Sequence, residues 1–195
     1  MSAPATPSRR GYAIALLLLA LGGVVLLIAY GLTWADTQVP LLAGSNDALQ
    51  QRDFTGRDLL PGAAISGWVA LAATAGIIAT RSWGRIVVAV IALLAGLMGA
   101  GAAIAFAVRS SEVVSGALAG LAGGAPVAPV QVHPAWLLAL IGGLLVVAAA
   151  VTTVLHGRSW PSLGARYERP PGDRPAANAW DALDKGQDPT DDLVE

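Results

Sequence analysis

YAIALLLLALGGVVLLIAYGLTW, Tyr12 to Trp34, decides the fold. It contains no Asp, Glu, Lys, Arg or His, and it is bracketed by Arg9 and Arg10 on one side and Asp36 on the other. A bilayer core about 30 Å thick needs roughly 20 apolar residues at 1.5 Å rise each, and this window supplies them. A surface helix of a soluble protein would show polar residues recurring at the helical period, and none interrupt here.

Three more windows share this character. They run from about Gly62 to Thr80, from Ile86 to Val108 and from about Ala135 to Leu155, with the tight link RSWGR between the second and third spans. The spacing predicts an all-α membrane protein: a four-helix transmembrane bundle with spans at 12–34, 62–80, 86–108 and 135–155, within a domain of 12–156. A cytoplasmic segment, 1–11, precedes it, and a largely disordered cytoplasmic tail, 157–195, follows. SRRGYAI resembles a twin-arginine signal, but the apolar run exceeds the 7 to 15 residues of a signal core, so we read it as a retained span.

Composition agrees and excludes several classes. The chain is 55% hydrophobic and 13% charged, about half the charge of an ordinary soluble domain. A formal net charge of -1 gives no basic field for nucleic acid. Cysteine is absent, which removes disulfides, thiolate nucleophiles and Cys-ligated metals.

Lysine and arginine on the loops predict orientation. With the amino terminus inside, Arg9, Arg10, Arg81, Arg85, Arg158, Arg166, Arg169, Arg174 and Lys185 are cytoplasmic, whereas Arg52, Arg57 and Arg109 are outside. Both termini are then expected in the cytoplasm of a bacterial cell, with the plasma membrane as the site. The external loops run from Asp36 to Pro61 and from Arg109 to Pro134. The first is long enough for a short helix or hairpin over the bundle. The second, with SGALAGLAGGAPVAPV, is too short and too broken by Gly and Pro to span, and reads as a flexible cover or an interfacial segment.

Helix packing in lipid depends on small residues. Ala72 with Gly76, Ala95 with Gly99, Gly96 with Ala100 and Ala139 with Gly143 lie four apart and predict packing faces, within one bundle in preference to a homo-oligomer. The Leu-rich first span, without such a pair, is expected to face lipid more. Tyr12, Trp34, Trp68, Trp83 and Trp136 lie near span ends, where amphipathic rings favour the interface.

Catalysis finds little to stand on. No window carries the intramembrane ionisable group of a proton relay or ion-coupled transporter. His133 and His156 flank the last span at opposite ends, roughly 30 Å apart by the rise per residue, and cannot share a haem. Ser66, Ser82, Ser110 and Ser111 have no histidine close in sequence, there is no phosphate-binding loop, and Asp53 and Asp58 stand beside Arg52 and Arg57 as a self-neutralising loop. The expectation is a non-enzymatic protein with no cofactor, no metal and no catalytic residue.

The tail is organised differently. Trp160, Arg166, Tyr167 and Arg169 form a membrane-proximal tether to anionic headgroups. RPPGDRP then acts as a spacer that forbids helix. WDALDKGQDPT follows. Trp180 and Leu183 are three apart, with Asp184, Gly186, Asp188, Pro189 and Thr190 shaping a turn and a cap around them. One turn is unstable alone, so these residues are expected to dock a cytoplasmic protein partner.

TGRDLLPGAA before the second span, RSWGR, SWPSLGARYER after the fourth and the WDALDKGQDPT ending together resemble the tryptophan-biosynthesis-associated membrane proteins of actinobacteria, over most of the chain. Lys185 and Gln187 stand where that family more usually has Arg and Glu. The resemblance implies an association with tryptophan synthesis and carries no activity, cofactor or catalytic residue. Combined with the tail, it implies a membrane scaffold or regulator that docks a tryptophan-pathway enzyme. The alternative is an oligomeric permeation pathway for tryptophan, indole or a related metabolite.

Overall fold

The computed structural model describes residues 9–40, 49–81, 83–120, 129–158 and 160. In chain order the elements are α1 (Arg9–Gly31), β1 (Thr33–Pro40), β2 (Leu49–Thr55), α2 (Gly56–Leu59), α3 (Pro61–Ala64), α4 (Ser66–Ala79), α5 (Trp83–Gly120), β3 (Gln131–Val132) and α6 (Ala135–His156). Four helical stretches are long and apolar enough to cross a membrane: Arg10–Gly31, Pro61–Ala79, Trp83–Ala119 and Ala135–His156. The protein is a multi-pass membrane protein. Large apolar side chains are exposed along all four spans, among them Leu17, Ile78, Leu94 and Leu144, as suits helices whose surrounding solvent is lipid.

The helices form an up-and-down ring in which α1 packs on α4 and α6, and α5 packs on the same two. Small residues make the seams. A Cβ built on Gly143 of α6 would meet the backbone nitrogen of Ala100 on α5 at 2.7 Å, and one on Gly96 would meet Gly143 O at 3.0 Å. These backbones touch, which only glycine permits. Ala95 and Ala139 are buried, and a Cβ on Gly76 would meet Val88 of α5 at 3.0 Å, so each of the four expected pairs supplies a residue to intramolecular packing, although Ala72 itself is exposed.

The first span is no lipid-facing outlier. Adjacent glycines serve two neighbours: a Cβ on Gly22 would reach 2.8 Å from Gly142 O on α6, and one on Gly23 would reach 3.2 Å from Ala70 Cβ on α4. Two consecutive glycines point about 100° apart on a helix, so GG does for two partners what a four-residue spacing does for one.

At one end the bundle carries a three-stranded antiparallel sheet in the order β2-β1-β3. The hairpin and short helix expected of the first loop are both present. The second loop differs from expectation. Helix α5 runs on past Val108, kinks at Arg109 (φ -127°, ψ 33°) and continues to Gly120, burying Val114 and Leu118 in the same cluster as Trp34, Ala35 and Phe54. Val114 and Leu118 are four apart, so in this helix they lie on one face.

Trp34 also departs from its interfacial reading. It is fully buried, stacked between Tyr30 and Phe106 with ring centroids 5.0 Å from each, and its indole N–H donates to Ala29 O at 2.8 Å. The sheet and the extended α5 cover it, so the ring fills the end of the bundle with its one polar atom satisfied.

Candidate functional site

The site at the sheet end starts from strand alternation. Along β1, Ala35 and Thr37 are buried while Asp36 and Gln38 point the other way. Asp36 is the cross-strand partner of Asp53 on β2 and of Gln131 on β3. Two carboxylates directly opposite repel. Gln51, on the same face as Asp53, puts its amide between them, 3.3 Å from Asp36 Oδ2 and 3.5 Å from Asp53 Oδ1.

His133 arrives from the other side. Its backbone N–H donates to Trp34 O at 2.8 Å, which continues the β1–β3 pairing, and its Nε2 lies 2.6 Å from Asp36 Oδ1. Pro134 follows and starts α6, whose first turns bring Leu137 and Leu138 beside Leu32 at the end of α1. The result is an open groove of about 790 Å³ with Asp36, Gln51, Asp53 and His133 on its rim and Leu32, Leu137 and Leu138 among its apolar walls. Such lining suits an amphipathic guest with a cationic head. No hydrogen bond joins His133 to a serine or threonine hydroxyl among the described residues. No group of three or more His, Asp or Glu is arranged to hold a metal among the described residues.

Asp53 and Asp58, adjacent in the sequence reading, have separate roles. Asp58 accepts from the Thr55 hydroxyl and from Thr55 N–H at 3.0 Å, capping α2. The Thr55 hydroxyl is the largest influence and, with the Thr55 N–H and the nearby Arg57 and Arg52, holds the Asp58 carboxyl below the ordinary carboxylate range against the opposing effect of burial.

The opposite end is built on Arg85. Placed by the sequence in a loop, it lies instead in the first turn of α5 and is 2% exposed. Its guanidinium donates to Gly157 O at 2.9 Å, Trp160 O at 3.4 Å and Thr80 O at 3.5 Å, and sits 5.3 Å from the Tyr12 ring centroid. Tyr12 meets Trp160 edge to face at 5.4 Å. Trp160 is thus buried against α1, while Arg158 lies over the exposed Trp83 ring at 5.7 Å. Arg166, Tyr167 and Arg169, and the docking set Trp180, Leu183, Asp184, Gly186, Asp188, Pro189 and Thr190, lie outside the described residues.

Sequence reasoning missed the Asp36–His133 pair, although a signal was present. Each residue stands just past the same end of two spans of opposite direction, which brings them to one end of a bundle. Arg85 gave none, because only the packing shows that an arginine beside a span is turned inward.

No curated protein and no solved structure matches the chain. One family model does, that of the tryptophan-associated transmembrane proteins, over residues 16–190, a stretch that includes the groove, Arg85 and the tail motif. The chain belongs to the tryptophan-associated transmembrane protein family.

Proposed function

We propose that the protein is a non-enzymatic scaffold or regulator of the bacterial plasma membrane, with both termini cytoplasmic, that docks a soluble partner through Trp180 and Leu183. The observation that carries the reading is the closeness of the bundle's seams. Backbone contacts at Gly22, Gly96 and Gly143, with Tyr30, Trp34 and Phe106 filling the sheet end, suit an anchor better than a conduit. Sidedness follows from arginine: Arg81, Arg85 and Arg158 share one end of the bundle, where Gly157 O and Trp160 O meet Arg85, and the tail departs from that end. The partner fitting the family's association is an enzyme of tryptophan synthesis.

Full-length protein in nanodiscs, used to capture partners from lysate of its host, tests this against Trp180→Ala. The wild type is expected to retain a tryptophan-pathway enzyme and the variant to lose at least roughly tenfold of it, the effect of removing one aromatic anchor. Equal recovery overturns the reading. Uptake of labelled tryptophan or indole by proteoliposomes would favour the permeation reading instead.

A further inference from the structure

The groove beneath the sheet has a rim and walls of opposite character, and together they describe an occupant. On the rim, Asp36 and Asp53 face each other with one neutral donor, the Gln51 amide, shared between them at 3.3 and 3.5 Å. The His133 imidazole lies on the Asp36 side and is half exposed. The two carboxylates are acceptors only, and a primary ammonium offers three donors to them. Below them, Leu32, Leu137 and Leu138 are 40%, 43% and 41% exposed. The apolar surface does not stop at the groove. Ile28 and Val24 continue the Leu32 face down α1 at helical spacing, and Ile141 and Leu144 continue the Leu137 face down α6, all of them exposed.

A soluble amine would leave these faces uncovered, while a molecule with its head among the carboxylates and its chains along the helices covers them. From this charge complementarity and the continuity of the walls with the lipid-facing surface, we infer that the groove is a headgroup site for a phospholipid bearing a primary amine, taken from the leaflet at the sheet end. The ammonium sits against Asp36 and Asp53 beside the Gln51 amide, and the acyl chains run down past Leu32 and Leu137. The site is independent of the tail and of which side of the membrane the sheet faces.

Native mass spectrometry of the detergent-purified full chain tests it. The protein is given equal amounts of phosphatidylethanolamine and phosphatidylcholine of identical acyl chains. These differ only in that the second headgroup is fully methylated and donates no hydrogen bond. We expect retention of the ethanolamine lipid to exceed that of the choline lipid by roughly tenfold, the order expected for charge-assisted hydrogen bonds, and Asp36→Asn with Asp53→Asn to bring the two to parity without changing the melting temperature by more than a few degrees. Equal retention by the wild type overturns the proposal with no variant required. A preference that survives the double substitution places the lipid elsewhere and overturns it too. Displacement of the lipid by water-soluble glycerophosphoethanolamine at comparable concentration would show that the apolar walls contribute nothing, which contradicts a lipid occupant.

Discussion

Arg85 shows how one residue ties three helices. Its guanidinium reaches backbone carbonyls at the end of α4 and beyond α6, and lies against the Tyr12 ring of α1. A planar fork with five donors is suited to several carbonyls at once, which a lysine ammonium is not. Arg85→Gln leaves buried carbonyls short of donors and is expected to destabilise the bundle by about 1–3 kcal/mol, read as a lower melting temperature in detergent. Arg52→Gln, at an exposed position of β2, should change it by less than about 0.5 kcal/mol. Lysine at 85 is expected to restore only part of the loss. The sequence offered Arg85 as one more loop cation, since charge and position are legible in a string while the direction of a side chain is set by neighbours far away in it.

Among elements, the seam between α5 and α6 and the cap of α2 make separable predictions. Gly143→Ala forces the backbones of α5 and α6 apart and should cost about 1–3 kcal/mol. Gly116→Ala, where a Cβ meets nothing within 4 Å in a helix interior, should stabilise by about 0.5–1 kcal/mol. Thermal unfolding of both variants in one detergent checks the opposite signs. At α2, the Asp58 carboxyl is held below its ordinary value chiefly by the Thr55 hydroxyl, so its contribution is complete above the unfolded value near 4 and is lost as pH falls through the lower folded value. Amide exchange at Gly56 to Leu60, corrected for intrinsic rate, should stay flat from pH 7 to about 5 and rise below about 4, with no such step in Asp58→Asn. Helix existence was legible because charge-free length is a one-dimensional property. The roles of Gly22 and Gly23, the extension of α5 to Gly120 and the burial of Trp34 were not, because each depends on which element lies opposite. Val114 and Leu118 gave the one local hint, a four-residue apolar spacing inside a segment otherwise rich in Gly and Ala.

For the whole molecule, the account rests on four passes through the bilayer that gather residues from distant parts of the chain at two different ends. Asp36, Asp53 and His133 meet under a sheet at one end. Arg85, Tyr12 and Trp160 close the other. Most of the fold was therefore readable from apolar length, whereas the groove became visible only once spans of opposite direction were set side by side. The absence of native cysteine allows a clean test of this arrangement. Single cysteines are introduced at Gln38, on the exposed face of β1, and at Asp192 in the tail, and intact cells are treated with a membrane-impermeant maleimide. The account predicts labelling of Gln38→Cys on intact cells and of Asp192→Cys only after lysis; labelling of the tail on intact cells, or of both positions alike, would contradict it.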